Sequence, residues 1–159
     1  MSRIISPFML GATLYMPATR TDLAEVILHG KIPELRSMVI CLEDAVSEEQ
    51  LDVALFNLSE LLDELKDSAD QENPDSRPLV FIRPRHDKMA LELIEKYDLA
   101  GIDGFVVPKL TTSNLPSWWE IISETPLALL PPLATRAVYP VQAITVLAAL
   151  LETPPCRDA

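Results

Sequence analysis

Along this chain, short apolar runs rich in β-branched residues alternate with longer stretches whose apolar positions fall three and four apart. That alternation predicts strands and amphipathic helices in turn. Residues 10–16 form the first apolar run, closed by Pro17; residues 22–29 follow as a helix with Leu23, Val26 and Ile27 on one side and Thr21 as its N-cap. Residues 38–42 make a compact buried strand. Ser47 and Gln50 fit a capping box that opens a long helix, with an apolar stripe of Leu51, Ala54, Leu55, Leu58, Leu61, Leu62 and Leu65. Beyond the polar loop 67–77, the pattern predicts a strand over 79–82, a helix over 88–97 and a strand over 102–107. A short helix over 114–124, a strand over 127–130 and a last helix over 141–151 complete it. Near-continuous apolar strands separated by helices make a parallel sheet covered by helices, an α/β fold.

The number of units then decides the architecture. About five parallel strands fit either a complete doubly wound sheet or part of a TIM (β/α)₈ barrel, which typically needs roughly 250 residues. No Gly-rich phosphate loop follows the first strand, which disfavours a nucleotide-binding unit. Pro17-Ala18 and Arg83-Pro84 stand where a phospho-receiver domain would carry its acidic residues. The reading is an incomplete TIM barrel, with residues 1–159 as a single domain forming its N-terminal part. A small flavodoxin-like binding module is the competing architecture.

Composition narrows the partners. The chain has 24 acidic and 13 basic residues, a net charge of −11, so no broad basic face is expected to release phosphate counterions and bind nucleic acid. No apolar run reaches the ~18 residues of a membrane span. The N-terminal apolar stretch is interrupted by Pro7, Gly11 and Thr13 and reads as a strand rather than a leader. Cys41 and Cys156 lack CxxC spacing, which disfavours a zinc site or a disulfide framework and points to a reducing, cytoplasmic setting. His29 and His86 have no neighbouring Cys or His to share a metal; His29 reads as a helix C-terminal residue before Gly30. Of Trp118 and Trp119, one is expected to pack inward and the other to lie over the surface.

Function in either architecture sits at the carboxyl ends of the strands. Those positions hold Arg20, the pair Glu43-Asp44, then Arg83, Arg85 and His86, then Lys109, then Ala134-Thr-Arg136. Guanidinium groups suit bidentate binding of a carboxylate, and Glu43 or Asp44 is placed to hold Arg83. Ordinary ion pairs at element ends account for the same composition equally well. No Ser-His-Asp or Gly-x-Ser-x-Gly arrangement is present.

Four segments, LYMPATRTDLAEVIL, MVICLEDAVSEEQ, VFIRPR and GIDGFVVPKL, resemble successive signatures of the citrate lyase beta-subunit-like branch of the aldolase/citrate-lyase superfamily. The resemblance spans essentially the whole chain and implies a Mg²⁺-dependent carbon–carbon lyase acting on a 3-hydroxy acid or its CoA thioester. In that chemistry a divalent ion and an Arg polarise an oxaloacetate- or pyruvate-like fragment and stabilise its enolate. By this likeness Arg83 is the substrate-carboxylate Arg, Glu43 and Asp44 are the acids that orient it, and Arg20 and Lys109 are basic residues near the mouth.

The departures are as informative. Cys41 replaces the first Asp of the family's Asp-Leu-Glu-Asp signature, and Pro84-Arg85 replaces its usual Val-Asn. The fifth strand of such enzymes ends in a Glu that binds the metal, where this chain has Ala134. The family's second metal-binding Asp follows a sixth strand, which the sequence does not reach. The expectation is therefore weak Mg²⁺ binding and no catalysis by this chain alone, with a non-catalytic interaction protein or degenerate remnant as the alternative. An incomplete barrel would also leave sheet edges and an apolar inner face uncovered, which predicts a homo-oligomer or a partner chain that completes it.

Overall fold

The structure is a computed structural model that describes residues 5–69, 76–132 and 140–151. Strands β1 (Thr13–Pro17), β2 (Ser37–Cys41), β3 (Leu79–Arg83), β4 (Gly104–Val106) and β5 (Ala128–Leu130) alternate with helices α1 (Leu23–Ile27), α2 (Leu51–Ala69), α3 (Asp87–Lys96), α4 (Leu115–Ile122) and α5 (Val141–Leu151). All strand pairs are parallel, in the order β1-β2-β3-β4-β5. Sequential order matters: a flavodoxin-like doubly wound sheet runs 2-1-3-4-5, with helices on both faces. Here each strand follows its predecessor, and right-handed crossovers then carry every helix to the same side, as in a (β/α) barrel.

Burial confirms that one-sidedness. Met16, Met38, Ile40, Val80, Ile82 and Phe105 point to one face and share a core with Val26 of α1, Leu58 of α2, Leu93 of α3 and Trp118 of α4. The α2 stripe lands there as its spacing predicts, with Ala54, Leu58, Leu61, Leu62 and Leu65 all buried. Trp118 packs inward beside Phe105, ring centroids 6.4 Å apart, while Trp119 lies half-buried at the margin. The opposite face collects Val39, Leu79, Phe81 and Val106, with Ile5, Leu10, Ala128 and Leu130 packed against them. That inner face is thus partly covered from within. Leu10 lies before β1 rather than in it, and its carbonyl accepts a 2.6 Å hydrogen bond from the Ser37 hydroxyl.

Local signals were read correctly in some places and not in others. Gly30 takes φ +63°, which lets the chain reverse after α1 so that the Lys31 N–H reaches the Glu25 carbonyl. Thr21 is not the cap of α1; Asp22 holds that position, and its carboxylate turns outward to Arg20 and Lys31. The Ser47–Gln50 box does not close on the backbone. The Ser47 hydroxyl meets the Gln50 side chain at 3.3 Å, and Glu48–Gln50 form a 3₁₀ turn before α2. His86 is the N-cap of α3, its Nδ1 accepting the Met89 N–H at 3.0 Å and so satisfying one of the helix's unpaired first-turn donors. Asp103, buried ahead of β4, accepts the Val80 N–H at 2.8 Å and pairs with Arg77 at 3.3 Å.

Candidate active site

The register aligns Pro17, Cys41 and Arg83, so β1, β2 and β3 end level with one another. Strand alternation places Arg83 on the inner face with Phe81, two residues before it. The chain leaving β2 stays attached to β3 through the Leu42 N–H and the Arg83 carbonyl, 2.9 Å apart, and delivers Glu43 and Asp44 beside the guanidinium.

Four of the charged residues expected at the strand ends come together there. Arg83 Nη2 lies 2.8 Å from Glu43 Oε2 and 3.3 Å from Asp44 Oδ2. Lys109 Nζ lies 3.0 Å from Glu43 Oε1 and 4.0 Å from Asp44 Oδ1. Each carboxylate therefore turns one oxygen to the guanidinium and the other to the ammonium. Glu43 is the buried centre, its side chain 7% exposed; Arg83 is 19% exposed, and Asp44 and Lys109 form the open rim at 63% and 72%. The approach of Arg83 to Glu43 Oε2 is an ion contact without hydrogen-bond alignment, and Arg83 Nε is buried with no hydrogen-bond partner. A buried donor left unpaired is uncommon and costly.

Lys109 reaches this position from a left-handed backbone, φ 47°, a conformation that costs a non-glycine residue about 1–2 kcal/mol. Asn114 holds it: Asn114 Nδ2 donates to the Lys109 carbonyl at 3.2 Å while its Oδ1 accepts the Thr111 N–H at 2.8 Å. Arg85 fixes the opposite side. Its guanidinium donates to Glu48 at 2.7 Å and to the carbonyls of Val46 and Ser47 at 2.8 and 3.1 Å, tying down the loop that carries Glu43 and Asp44. Neither holding role was read from sequence. The available signals were the i, i+2 spacing of Arg83 and Arg85, which sends both toward one loop, and an Asn in the turn after a Pro-Lys.

Arg20 is not brought into the cluster. Its guanidinium forms a two-point pair with Asp22, both contacts at 2.7 Å, and Lys31 joins the same carboxylate at 2.9 Å. Ala134 and Arg136 lie outside the described residues. A cavity of about 440 Å³ near Ile32, Leu35 and Arg77 lies at the opposite end of the sheet and shares no residue with the cluster.

The charges shift one another. Asp44 is held below the ordinary aspartate range, first by hydrogen bonding with Glu43 and then by Arg83 and Lys109, against the cost of desolvation. Lys109 is raised, first by its hydrogen bond to Glu43 and then by the charges of Glu43 and Asp44. A carboxyl depressed in the folded state contributes stability that is present above the unfolded value of about 4 and is lost as pH falls through the folded one. The Asp44 carboxyl is thus expected to titrate below an ordinary aspartate in a carbon-13 NMR experiment, and to move upward in Lys109→Ala. An unmoved midpoint would remove Lys109 from its surroundings.

The donor set here does not fit a divalent ion. Both carboxylates already face two cations, and among the described residues no group of three or more His, Cys, Asp or Glu side chains is arranged to hold a metal. Hard cations need several oxygen ligands in near-fixed geometry.

A singly wound parallel sheet with helices on one side is the α/β arrangement of (β/α) barrels, and the charged cluster lies at its carboxyl ends, where barrel enzymes carry their active sites. The chain matches the family described as C-C bond lyase of the TIM-barrel fold over residues 4–155, and it belongs to that family. Among curated proteins no match to the chain is found. No helix among the described residues is long and apolar enough to cross a membrane.

Proposed function

We propose that this carbon–carbon lyase family member is of the citrate lyase beta-subunit-like kind, and that its strand-end cluster recognises a small carboxylate, a 3-hydroxy acid or its CoA thioester. Arg83 anchors the carboxylate, Glu43 and Asp44 orient Arg83, and Lys109 adds a second positive charge at the mouth, while Arg20, held by Asp22, takes no part. The observation that carries this reading is the Arg83 guanidinium: in ion contact with a buried Glu43 through one nitrogen, with another nitrogen lacking a hydrogen-bond partner, at the end of the sheet where barrel chemistry occurs.

A second reading is a non-catalytic relative of the same family that binds without cleaving. It is favoured by Ala134, which stands where the resemblance places a metal-binding Glu, and by the engagement of both site carboxylates with cations. A cleavage assay over a panel of 3-hydroxyacyl thioesters, with and without Mg²⁺, separates the two.

Arg83→Lys is expected to weaken binding of oxalate, a planar mimic of an enolised 2-oxo acid, by about tenfold, because the fork geometry is lost while charge remains. Equal affinity in calorimetry for the parent and the variant would take Arg83 out of the site.

A further inference from the structure

We propose that Lys109 is the resident cation of this site, and that with Arg83 it binds a 2-oxo carboxylate or its enolate without any divalent metal. This rests on the reading of the cluster as a carboxylate site and goes beyond it in assigning ligand binding there to two protein cations alone.

The geometry carries the inference. Glu43 and Asp44 lie between two cations, with Oε1 and Oδ1 toward the Lys109 ammonium and Oε2 and Oδ2 toward the Arg83 guanidinium. Each oxygen of both carboxylates already faces one of the two cations, so no oxygen is free to coordinate a metal. A divalent ion arriving at Oε1 would have to displace the ammonium while Arg83 stayed within 2.8 Å of Oε2, and like charges at such range repel strongly in a partly buried site.

Lys109 is also built into position. Its left-handed backbone and the Asn114 hold on its carbonyl give it a specific exit direction from β4, which a freely swinging surface lysine would not need. Its side chain is far more exposed than that of Glu43, so a ligand entering at the strand ends meets the ammonium before the carboxylate. An anion with two adjacent oxygens, a carboxylate beside a carbonyl or enolate oxygen, matches an ammonium and a guanidinium on either side of one buried carboxylate. Donors fixed in advance at developing negative charge are the usual means of stabilising an enolate.

The test is oxalate titration by calorimetry into the intact protein, in EDTA and in millimolar Mg²⁺, with circular dichroism verifying that each variant is folded. The parent is expected to bind oxalate equally well in both buffers and to leave the spectrum of free Mn²⁺ unchanged in electron paramagnetic resonance. Lys109→Met is expected to bind oxalate about tenfold more weakly in EDTA. Lys109→Arg, which keeps the charge, is expected to retain most of the affinity. Oxalate binding by the parent that requires Mg²⁺, tight Mn²⁺ binding by the parent, or unchanged affinity in Lys109→Met each overturns the proposal while leaving the carboxylate site standing. No oxalate binding in either buffer overturns both together.

Discussion

Gly104→Ala is expected to lower the melting temperature by roughly 10 °C. Gly104 pairs with Phe81 on one side and Ala128 on the other, and β4 and β5 approach so closely that a Cβ at this position overlaps the Ala128 carbonyl oxygen. The carbonyl carbon would stand 2.7 Å away. These are backbone atoms of a paired strand, so no rotamer change relieves the overlap. The strands must separate, which breaks the β4–β5 ladder and disturbs the Lys109 segment that follows β4. Overpacking of this kind costs about 3 kcal/mol or more when the obstacle cannot move. Chemical denaturation followed by circular dichroism measures it; a loss under about 1 kcal/mol would mean that the two strands do not lie this close. Gly30→Ala is the contrast, since nothing lies within 4 Å of its Cβ and only the positive φ opposes the change.

The fold was legible because its signals are redundant. Parallel strands covered by helices are apolar throughout, and β2 and β3 stood out as compact runs bounded by polar loops. The α2 stripe fixed its inward face but not its ends, since a 3₁₀ turn precedes it and the helix runs on to Ala69, into the stretch read as the polar loop 67–77. What could not be read was which apolar residues extend a strand and which cover it: Leu10 continues the apolar run toward β1 yet packs across the inner face. Hydrophobicity reports burial, and burial has the same signature in either role. The caps failed for a related reason. Thr21 lies one residue before the true cap position, and Asp22 and Ser47, which occupy cap positions, are engaged by the side chains of Arg20, Lys31 and Gln50 instead of the backbone.

The candidate site divides along the same line. Arg83 and the Glu43-Asp44 pair were joined from sequence alone because adjacent parallel strands bring their carboxyl ends together whatever the details. Placing Lys109 in the same cluster required a left-handed residue held by an Asn five positions later, and no periodicity encodes that. Arg20 shows the converse. It lies at a strand end like the others, yet an acidic residue two positions on captures it first.

Glu43→Leu is expected to destabilise the protein by about 3 kcal/mol, and the double variant Glu43→Leu with Arg83→Leu to recover most of that loss. Glu43 is the one nearly buried charge in the cluster, with Arg83 against one oxygen and Lys109 against the other. Removing it takes from the Arg83 guanidinium, which is 19% exposed, its closest and only buried anion in the cluster, and leaves it the 3.3 Å hydrogen bond to Asp44 on the open rim. Lys109 escapes the same penalty, since its exposed head can turn to water. Breaking a buried pair at one end costs far more than replacing both ends by apolar groups, because the uncompensated charge carries its full desolvation cost. The inner face beside Arg83 already holds Phe81, Val106 and Leu130, so two leucines there meet an apolar neighbourhood. Oxalate affinity supplies the second axis: the double variant should approach parental stability yet lose binding. A double variant less stable than Glu43→Leu would show that Arg83 supports the fold through contacts other than Glu43, and that the pair serves structure before recognition.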